Sequence, residues 1–396
     1  MSAVSGASTP DKSHRMVQGG LEMPLDDVQA PHQSLSDRLR LLRAHINAIF
    51  PEAQDGVHRI AVAVYEPESD QLRTYASSGD VPSPLDHYAF ELSRVPTLRR
   101  LAQEPQAHII DDYAHHPGHQ HHTQRIRDSG LRSGVILPLL YEQEFYGFLF
   151  LNSRIPAFFR EEALSRLLPY ADLARMVAVT SIRKNRVLRG AARTAIAFGR
   201  ARDEETGSHL ARMAEYSRLI ALNLADSQAL GVLGDEFIEM LYQFAPVHDI
   251  GKIAVPDRIL LKPGRLTPDE FAQMREHVTH GVAMVLTMSE ELGLGESRRV
   301  KILRNIVGYH HERLDGSGYP TGASGVQIPL EGRIVAIADV FDALTSERPY
   351  KEAWSFEAAE ELLHREAQQG KFCLHCIQAF FANREQIASI QNANRD

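Results

Sequence analysis

Three shortages in this sequence each exclude a class of protein. Only two cysteines, Cys373 and Cys376, occur in 396 residues, so no disulfide framework holds the chain together. No apolar run is long enough to cross a bilayer, since the best candidate, 135–151, is interrupted by Glu142, Gln143 and Glu144. The opening MSAVSGASTPDKSHRM has no apolar centre of the secretory-signal kind, and the expectation is a cytoplasmic chain with no membrane partner. Basic residues are outnumbered, 43 Lys and Arg against 51 Asp and Glu, for a formal net charge of -8. Wrapping a long nucleic acid needs a broad basic surface, which this balance does not supply. A small phosphorylated ligand needs only a local cluster of cations. The two cysteines sit in FCLHCIQAF, whose apolar neighbours assign them to one helix face as buried thiols.

The chain does have length and apolar content. With 43% apolar and 24% charged residues it can build a core, and 396 residues suit two domains. Residues 1–30, rich in Ser, Gly, Pro and charge, read as a loose tail. QSLSDRLRLLRAHINAIF has apolar residues three and four apart and is stopped by Pro51, which predicts a helix. HRIAVAVYE and ESDQLRTYAS read as paired strands, and a helix is expected around His87 to Leu101. GVILPLLY and FYGFLFLNS form a second predicted hairpin across the turn at Glu142-Gln143-Glu144. Between them lies HIIDDYAHHPGHQHH, with His108, His115, His116, His119, His121 and His122, read as a solvated loop rather than a metal site because Pro117 and Gly118 break any helical ligand spacing. Antiparallel strands with flanking helices make 31–180 an α+β module. Residues 161–195 form a connecting helical region that overlaps its end, with a bend expected at Pro169. From about Thr194 the periodicity is helical, so 196–385 is predicted to be an all-α domain, followed by a short tail at 386–396.

That all-α half carries a set of candidate metal ligands. Glu205 and His209 are four residues apart, which puts them on one helix face. His248 and Asp249 are adjacent, His277 follows in REHVTHG, His310 and His311 end VKILRNIVGYHH, and Asp339 lies in AIADVFDAL. Five imidazoles and three carboxylates exceed the needs of one octahedral ion, and mixed N and O donors suit Fe, Mn, Zn or Ni better than calcium. His280 keeps the blander assignment of a helix-surface histidine.

Two resemblances organise these readings. In its order of helix, hairpin, helices and final hairpin before a long helix, 35–180 resembles a GAF domain, a small-molecule sensor or dimerisation module. That resemblance implies a GAF-like N-terminal domain, a homodimer and an unidentified small-molecule effector. HDIGKIAVPDRILLKPGRL, HHERLDGSGYP and ADVFDALTSERPYK look like the signatures of the HD-GYP family, a branch of the HD metal-dependent phosphohydrolases. The resemblance places metal ligands at Glu205, His209, His248, Asp249, His277, His310, His311 and Asp339, holding two or three divalent ions, with Glu205 associated with the third. It implies phosphate contact by Lys252, Arg348 and Lys351, a base stacked on Tyr319, and a loop shaped by Gly316, Gly318 and Pro320. The activity it implies is hydrolysis of cyclic di-GMP to pGpG and on to GMP, with His248, Asp249 and Lys252 as the catalytic residues. Another cyclic dinucleotide such as cyclic GMP-AMP, or a catalytically weak cyclic di-GMP receptor, are the alternatives.

Overall fold

A computed structural model of the chain describes residues 33–50, 56–79, 83–104, 106–116, 121–200, 207–347 and 352–395. The loose-tail reading of 1–30 therefore lies outside the described residues. So do Glu205, Arg348 and Lys351.

Helix α1, Leu35–Ala48, starts at a capping box in which Ser34 and Asp37 satisfy each other's backbone N–H, and it buries Leu35, Leu39, Leu42 and Ile46. Strands β1 (Arg59–Glu66) and β2 (Gln71–Gly79) form the first hairpin; β3 (Ala89–Glu91), α2 (Pro96–Gln103), β4 (His108–Ile110) and α3 (His121–Asp128) follow. β5 (Ser133–Tyr141) and β6 (Glu144–Ser153) form the second hairpin, turning on Glu142 and Gln143, both left-handed at φ 50° and 67°. The six strands make one antiparallel sheet in the order β3-β2-β1-β6-β5-β4. Alternation along β1 sends Ile60 and Val62 to one face, where α1 packs, and Ala63 to the other, where Leu98, Leu101 and Ile126 of α2 and α3 pack.

Two expectations fail in this half. In place of one helix over 87–101 there is an edge strand, a 3-10 turn at Leu92–Arg94 and a helix that begins only at Pro96. The backbone of His87 is left-handed, φ 57°, which prevents helical entry there, and Phe90 pairs with Leu72 of β2 instead. The histidine-rich segment is not a single loop either. His108 opens β4, while His121 and His122 begin α3, where they stack on Tyr88 and Phe90.

Helix α4, Glu161–Arg200, runs on through Pro169. One missing N–H costs about 3 kcal/mol in a helix interior. Burial of Leu167, Ala171, Ala174 and Ala178 on both sides of the proline opposes that cost. Farther along, Leu188 and Ala192 enter a second core. That core is all-helical: α5 (Gly207–Ser227), α6 (Asp235–Phe244), α7 (Asp257–Leu260), α8 (Pro268–Glu291), α9 (Arg298–Tyr309), α10 (Leu330–Thr345), α11 (Phe356–Gln368), α12 (Leu374–Phe381) and α13 (Arg384–Ala393). Cys373 and Cys376 are free, buried thiols at the start of α12, as the sequence implied. Among the described residues no helix is long and apolar enough to cross a membrane.

Polar contacts join the two halves. Glu236 of α6 accepts from the backbone N of Leu35 at 2.8 Å, and Asn185 of α4 donates to the Tyr75 hydroxyl while accepting from Arg299 Nε of α9 at 2.5 Å. Asp235 Oδ1 receives both the backbone N of His87, at 2.9 Å, and its ring Nδ1, at 2.6 Å. The hydrogen bond to Asp235 raises the pKa of His87 against its burial, and the charges of Asp235, Asp86 and Asp226 act the same way. A histidine with a raised folded-state pKa contributes stability in full below its ordinary value, and loses that contribution as pH rises through the raised one. Between about pH 5.5 and 8.5, therefore, the melting-temperature difference between the parent and His87→Ala is expected to shrink as pH rises. Paired thermal scans across that range check it; a constant difference would refute the assignment.

Candidate metal centre

The site forms where α5, α8, α9 and α10 meet the irregular stretch after α6. Pro246 lies in a 3-10 turn at Ala245–Val247 that delivers His248, and a second such turn, Ile250–Ala254, carries Lys252. This second turn lies hard against α8. A Cβ on Gly251 would stand 1.8 Å from the carbonyl oxygen of His277 and 2.5 Å from the backbone N of Gly281. Only glycine fits that approach. His310 and His311 sit where α9 ends, and Asp339 comes from the middle of α10.

Seven of the eight residues singled out as ligands are thereby brought into two groups of facing donor atoms. Asp249, His277, His310 and His311 form one, and His209, His248 and Asp339 the other, with the ligand atoms of each group within 4.8 Å of one another. The eighth, Glu205, is outside the described residues. His280 belongs to neither group. The groups adjoin through the doublet: His248 Nε2 is 3.3 Å from Asp249 Oδ2 and 3.9 Å from Asp339 Oδ1.

Local hydrogen bonds fix which ring nitrogens face inward. Nδ1 lies 2.9 Å from the Ala245 carbonyl in His248, 2.7 Å from that of Met274 in His277, and 3.0 Å from that of Val307 in His310. A carbonyl only accepts, so each Nδ1 carries the proton and each Nε2 turns a lone pair into the site. His277 Nε2 is 3.0 Å and His310 Nε2 3.5 Å from Asp249 Oδ1. Those three atoms are buried, yet none is aligned to hydrogen-bond. Buried lone pairs converging on a carboxylate oxygen with no proton between them fit a cation. Burial alone would push the Asp249 carboxyl up, but Lys252, whose Nζ is 2.8 Å from Oδ2, together with His248 holds it well below the usual carboxylate range. Burial lowers the pKa of His310 and His311, which favours the neutral imidazole in both.

Of the residues expected to contact substrate, Lys252 and Tyr319 are described, each against a different donor residue, Asp249 and His311. Lys252 points at the doublet. The ring of Tyr319 lies 4.6 Å from that of His311 and under the Arg275 guanidinium, with Cζ 4.5 Å from the ring centre. Its loop is shaped largely by glycine: Gly316 is left-handed at φ 81°, and a Cβ on Gly318 would stand 2.4 Å from Glu312 Cα. Pro320 follows Tyr319. Arg348 and Lys351 lie outside the described residues.

Three contributors escaped the sequence reading. Asp342 Oδ2 is 2.7 Å from His209 Nδ1, while Arg212 Nε donates to Asp342 Oδ1 at 2.6 Å; the three-residue step from Asp339 to Asp342 was a usable signal, because it places both on one helix face. Burial opposes ionisation of Asp342, but the hydrogen bonds from His209 and Arg212 hold its pKa down. Buried Glu312 pins the loop by accepting from both the backbone N and the hydroxyl of Thr321 at 2.8 Å. Arg275 is the third, and nothing in its spacing marked it.

Comparison with known proteins assigns a domain to each half of the chain. The model for the HD domain matches 204–372, and the model for the GAF domain matches 35–180. The chain is thus a GAF domain joined to an HD domain. The HD match falls on the half that carries the three quoted motifs, which resemble those of the HD-GYP family. Over 195 residues it is 43% identical to a cyclic di-GMP phosphodiesterase of Vibrio cholerae, covering 49% of this chain and 39% of that one. Over 190 residues it is 44% identical to the cyclic di-GMP phosphodiesterase response regulator RpfG of Xanthomonas campestris, covering 48% and 46%. A 3'3'-cGAMP-specific phosphodiesterase 2 of Vibrio cholerae is 43% identical over 173 residues, 43% of this chain and 30% of its own. The chain spans less than half the length of each of these relatives.

Asp342 fixes the ring of His209 from behind. Partners of this kind are worth about 10- to 100-fold in metal affinity. Asp342→Asn, which keeps the shape, is expected to lower manganese affinity by about that factor with helical circular dichroism retained. Equal manganese affinity in titrations of parent and variant would remove Asp342 from the site.

Proposed function

We propose that this chain is a metal-dependent phosphodiesterase that opens cyclic di-GMP to pGpG and carries it on to GMP. The observation that carries the reading is the pair of adjoining donor groups, sharing the His248–Asp249 doublet, with the Lys252 ammonium at their mouth. His209, His248 and Asp339 would hold one divalent ion and Asp249, His277, His310 and His311 another, Fe or Mn by preference and Zn or Ni by the same donor chemistry. Glu205 would add a ligand for a third. Ions bound there supply Lewis acidity and lower the pKa of water enough to make it a nucleophile at neutral pH.

The protein's own groups do the rest. The neutral Nε2 atoms, set by their carbonyl-bound Nδ1 partners, present lone pairs without reorganisation. Asp249 accepts the Lys252 ammonium, which keeps that cation fixed beside the position of the scissile phosphate, where it offsets developing negative charge. Arg348 and Lys351 would add further positive charge. Tyr319 and the neighbouring ring of Phe271, 6.3 Å away, supply an aromatic wall for a base. The 43% identity to a 3'3'-cGAMP-specific enzyme supports hydrolysis of mixed cyclic dinucleotides as the second reading.

Regulation would enter through the GAF domain, with a small-molecule effector there and a homodimer formed along α4. Met176, Val187 and Phe198 of α4 are 56%, 51% and 69% exposed and repeat every eleven residues, close to three helical turns, so they line one stripe that a second copy can cover. Light scattering of the full chain is expected to give twice the monomer mass, and Val187→Glu to return it to one; a monomeric parent rejects the dimer.

Chromatography of products from metal-loaded protein, with Mn or with Fe under anaerobic conditions, tests the activity. The parent is expected to yield pGpG, and the double variant His248→Ala, Asp249→Ala to lose both turnover and bound metal while remaining folded. Undiminished hydrolysis by that variant, or no product from the loaded parent, rejects the proposal.

A further inference from the structure

On the rim of the centre, Arg275 of α8 is clasped by two aromatic rings. Its Cζ lies 5.0 Å from the centre of Phe271 and 4.5 Å from that of Tyr319, the same ring that touches the candidate ligand His311. Its Nε is buried without a hydrogen-bond partner, and no described carboxylate pairs with it. A guanidinium held this way has its aliphatic stem and plane fixed by the rings while its N–H fork stays uncommitted. Phe271 beside it is 44% exposed, so the cation borders open apolar surface.

The combination selects one kind of ligand group. A phosphate is hydrated on every side and gains nothing from an exposed phenyl ring. A nucleobase has flat apolar faces and a polar edge, which matches an exposed phenyl ring with guanidinium donors close beside it. Among the bases, guanine presents two acceptors, O6 and N7, to a guanidinium, whereas adenine presents N7 and an amino donor. An arginine carries donors only, so it favours guanine and meets adenine's amino group with a like group.

We propose that Arg275 is the guanine-selecting residue of this site: its fork binds O6 and N7 of a base that rests on Phe271, beside the scissile phosphate at the metal centre. The assignment rests on the reading of the substrate as a cyclic dinucleotide. It gives the Phe271–Arg275–Tyr319 cluster a task separate from catalysis, namely choosing among cyclic dinucleotides that present the same phosphodiester.

Calorimetric titration of the full chain with cyclic di-GMP and with cyclic di-AMP, for the parent, Arg275→Ala and Arg275→Lys, tests it, with turnover of both ligands followed in parallel. Arg275→Ala is expected to weaken cyclic di-GMP binding by about 10- to 100-fold, while cyclic di-AMP changes by less than about three-fold. Arg275→Lys keeps the charge without the fork and is expected to recover little of the loss. Equal losses for the two ligands, or full rescue by lysine, overturn the proposal, since both describe a phosphate contact. A parent that binds cyclic di-GMP in an Arg275-dependent manner without hydrolysing it overturns the phosphodiesterase reading alone. A parent that binds neither ligand overturns both.

Discussion

The close approach of the Gly251 backbone to the carbonyl of His277 is the constraint on which the rest of the centre depends. With no side chain at 251, the turn after the doublet lies directly on α8, and Asp249 Oδ1 comes within 3.0 Å of His277 Nε2. Gly281, one turn farther along α8, faces the same contact and leaves room for Val307 of α9. The turn and α8 thus meet at backbone distance, while α9 closes on α8 through the Val307 side chain seated at Gly281. His310 of the same α9 end lies with Nε2 3.5 Å from Asp249 Oδ1. Even a methyl group at 251 would force the doublet away from the histidines it faces.

Closeness of this kind has an electrostatic cost. Three imidazole nitrogens, those of His248, His277 and His310, surround the Asp249 carboxylate in a space almost closed to water, and a buried carboxylate surrounded by acceptors is unfavourable unless a cation answers it. Lys252 answers one oxygen of Asp249; the other faces only ring nitrogens. A cation bound at Asp249 would offset that cost, which would link metal binding to the folding of this half. The carbonyl partners on each Nδ1 hold the rings against that penalty. They are supplied by the same helical backbones that present the histidines.

Much of this was legible in the sequence, for a physical reason. Candidate donors announce themselves through spacing and adjacency, as the neighbours His310 and His311 do at the end of α9, and the doublet followed by Gly251 and Lys252 could be read as a unit. What escaped depended on side chains meeting across elements. Asp342 matters because α5 brings His209 and Arg212 to it, and Arg275 because a loop forty residues later folds Tyr319 onto it. In the GAF half, helical propensity over 87–101 lost to one left-handed residue, His87, and to an edge-strand partner in β2. At Pro169 the reverse held: apolar burial outweighed a residue that breaks isolated helices. Local patterns are decisive where an element's own geometry sets the outcome, and they fail where a neighbour does.

Helix α4 belongs to both hydrophobic cores: its first half, through Ile182, is buried with the GAF sheet, and Leu188 and Ala192 are buried with the HD helices. Asn185, at the changeover, is gripped from one side by Tyr75 and from the other by Arg299. A helix rooted at both ends in close-packed interiors cannot slide along its axis without opening voids in each. A change passed from the GAF sheet to the HD helices along α4 would then take the form of a small roll or tilt of a stiff rod about Asn185. Arg299, which grips that residue, lies ten residues before Tyr309 on the helix that ends at His310, so a change in the rod's angle would reach the metal pocket as a change in the pitch of α9.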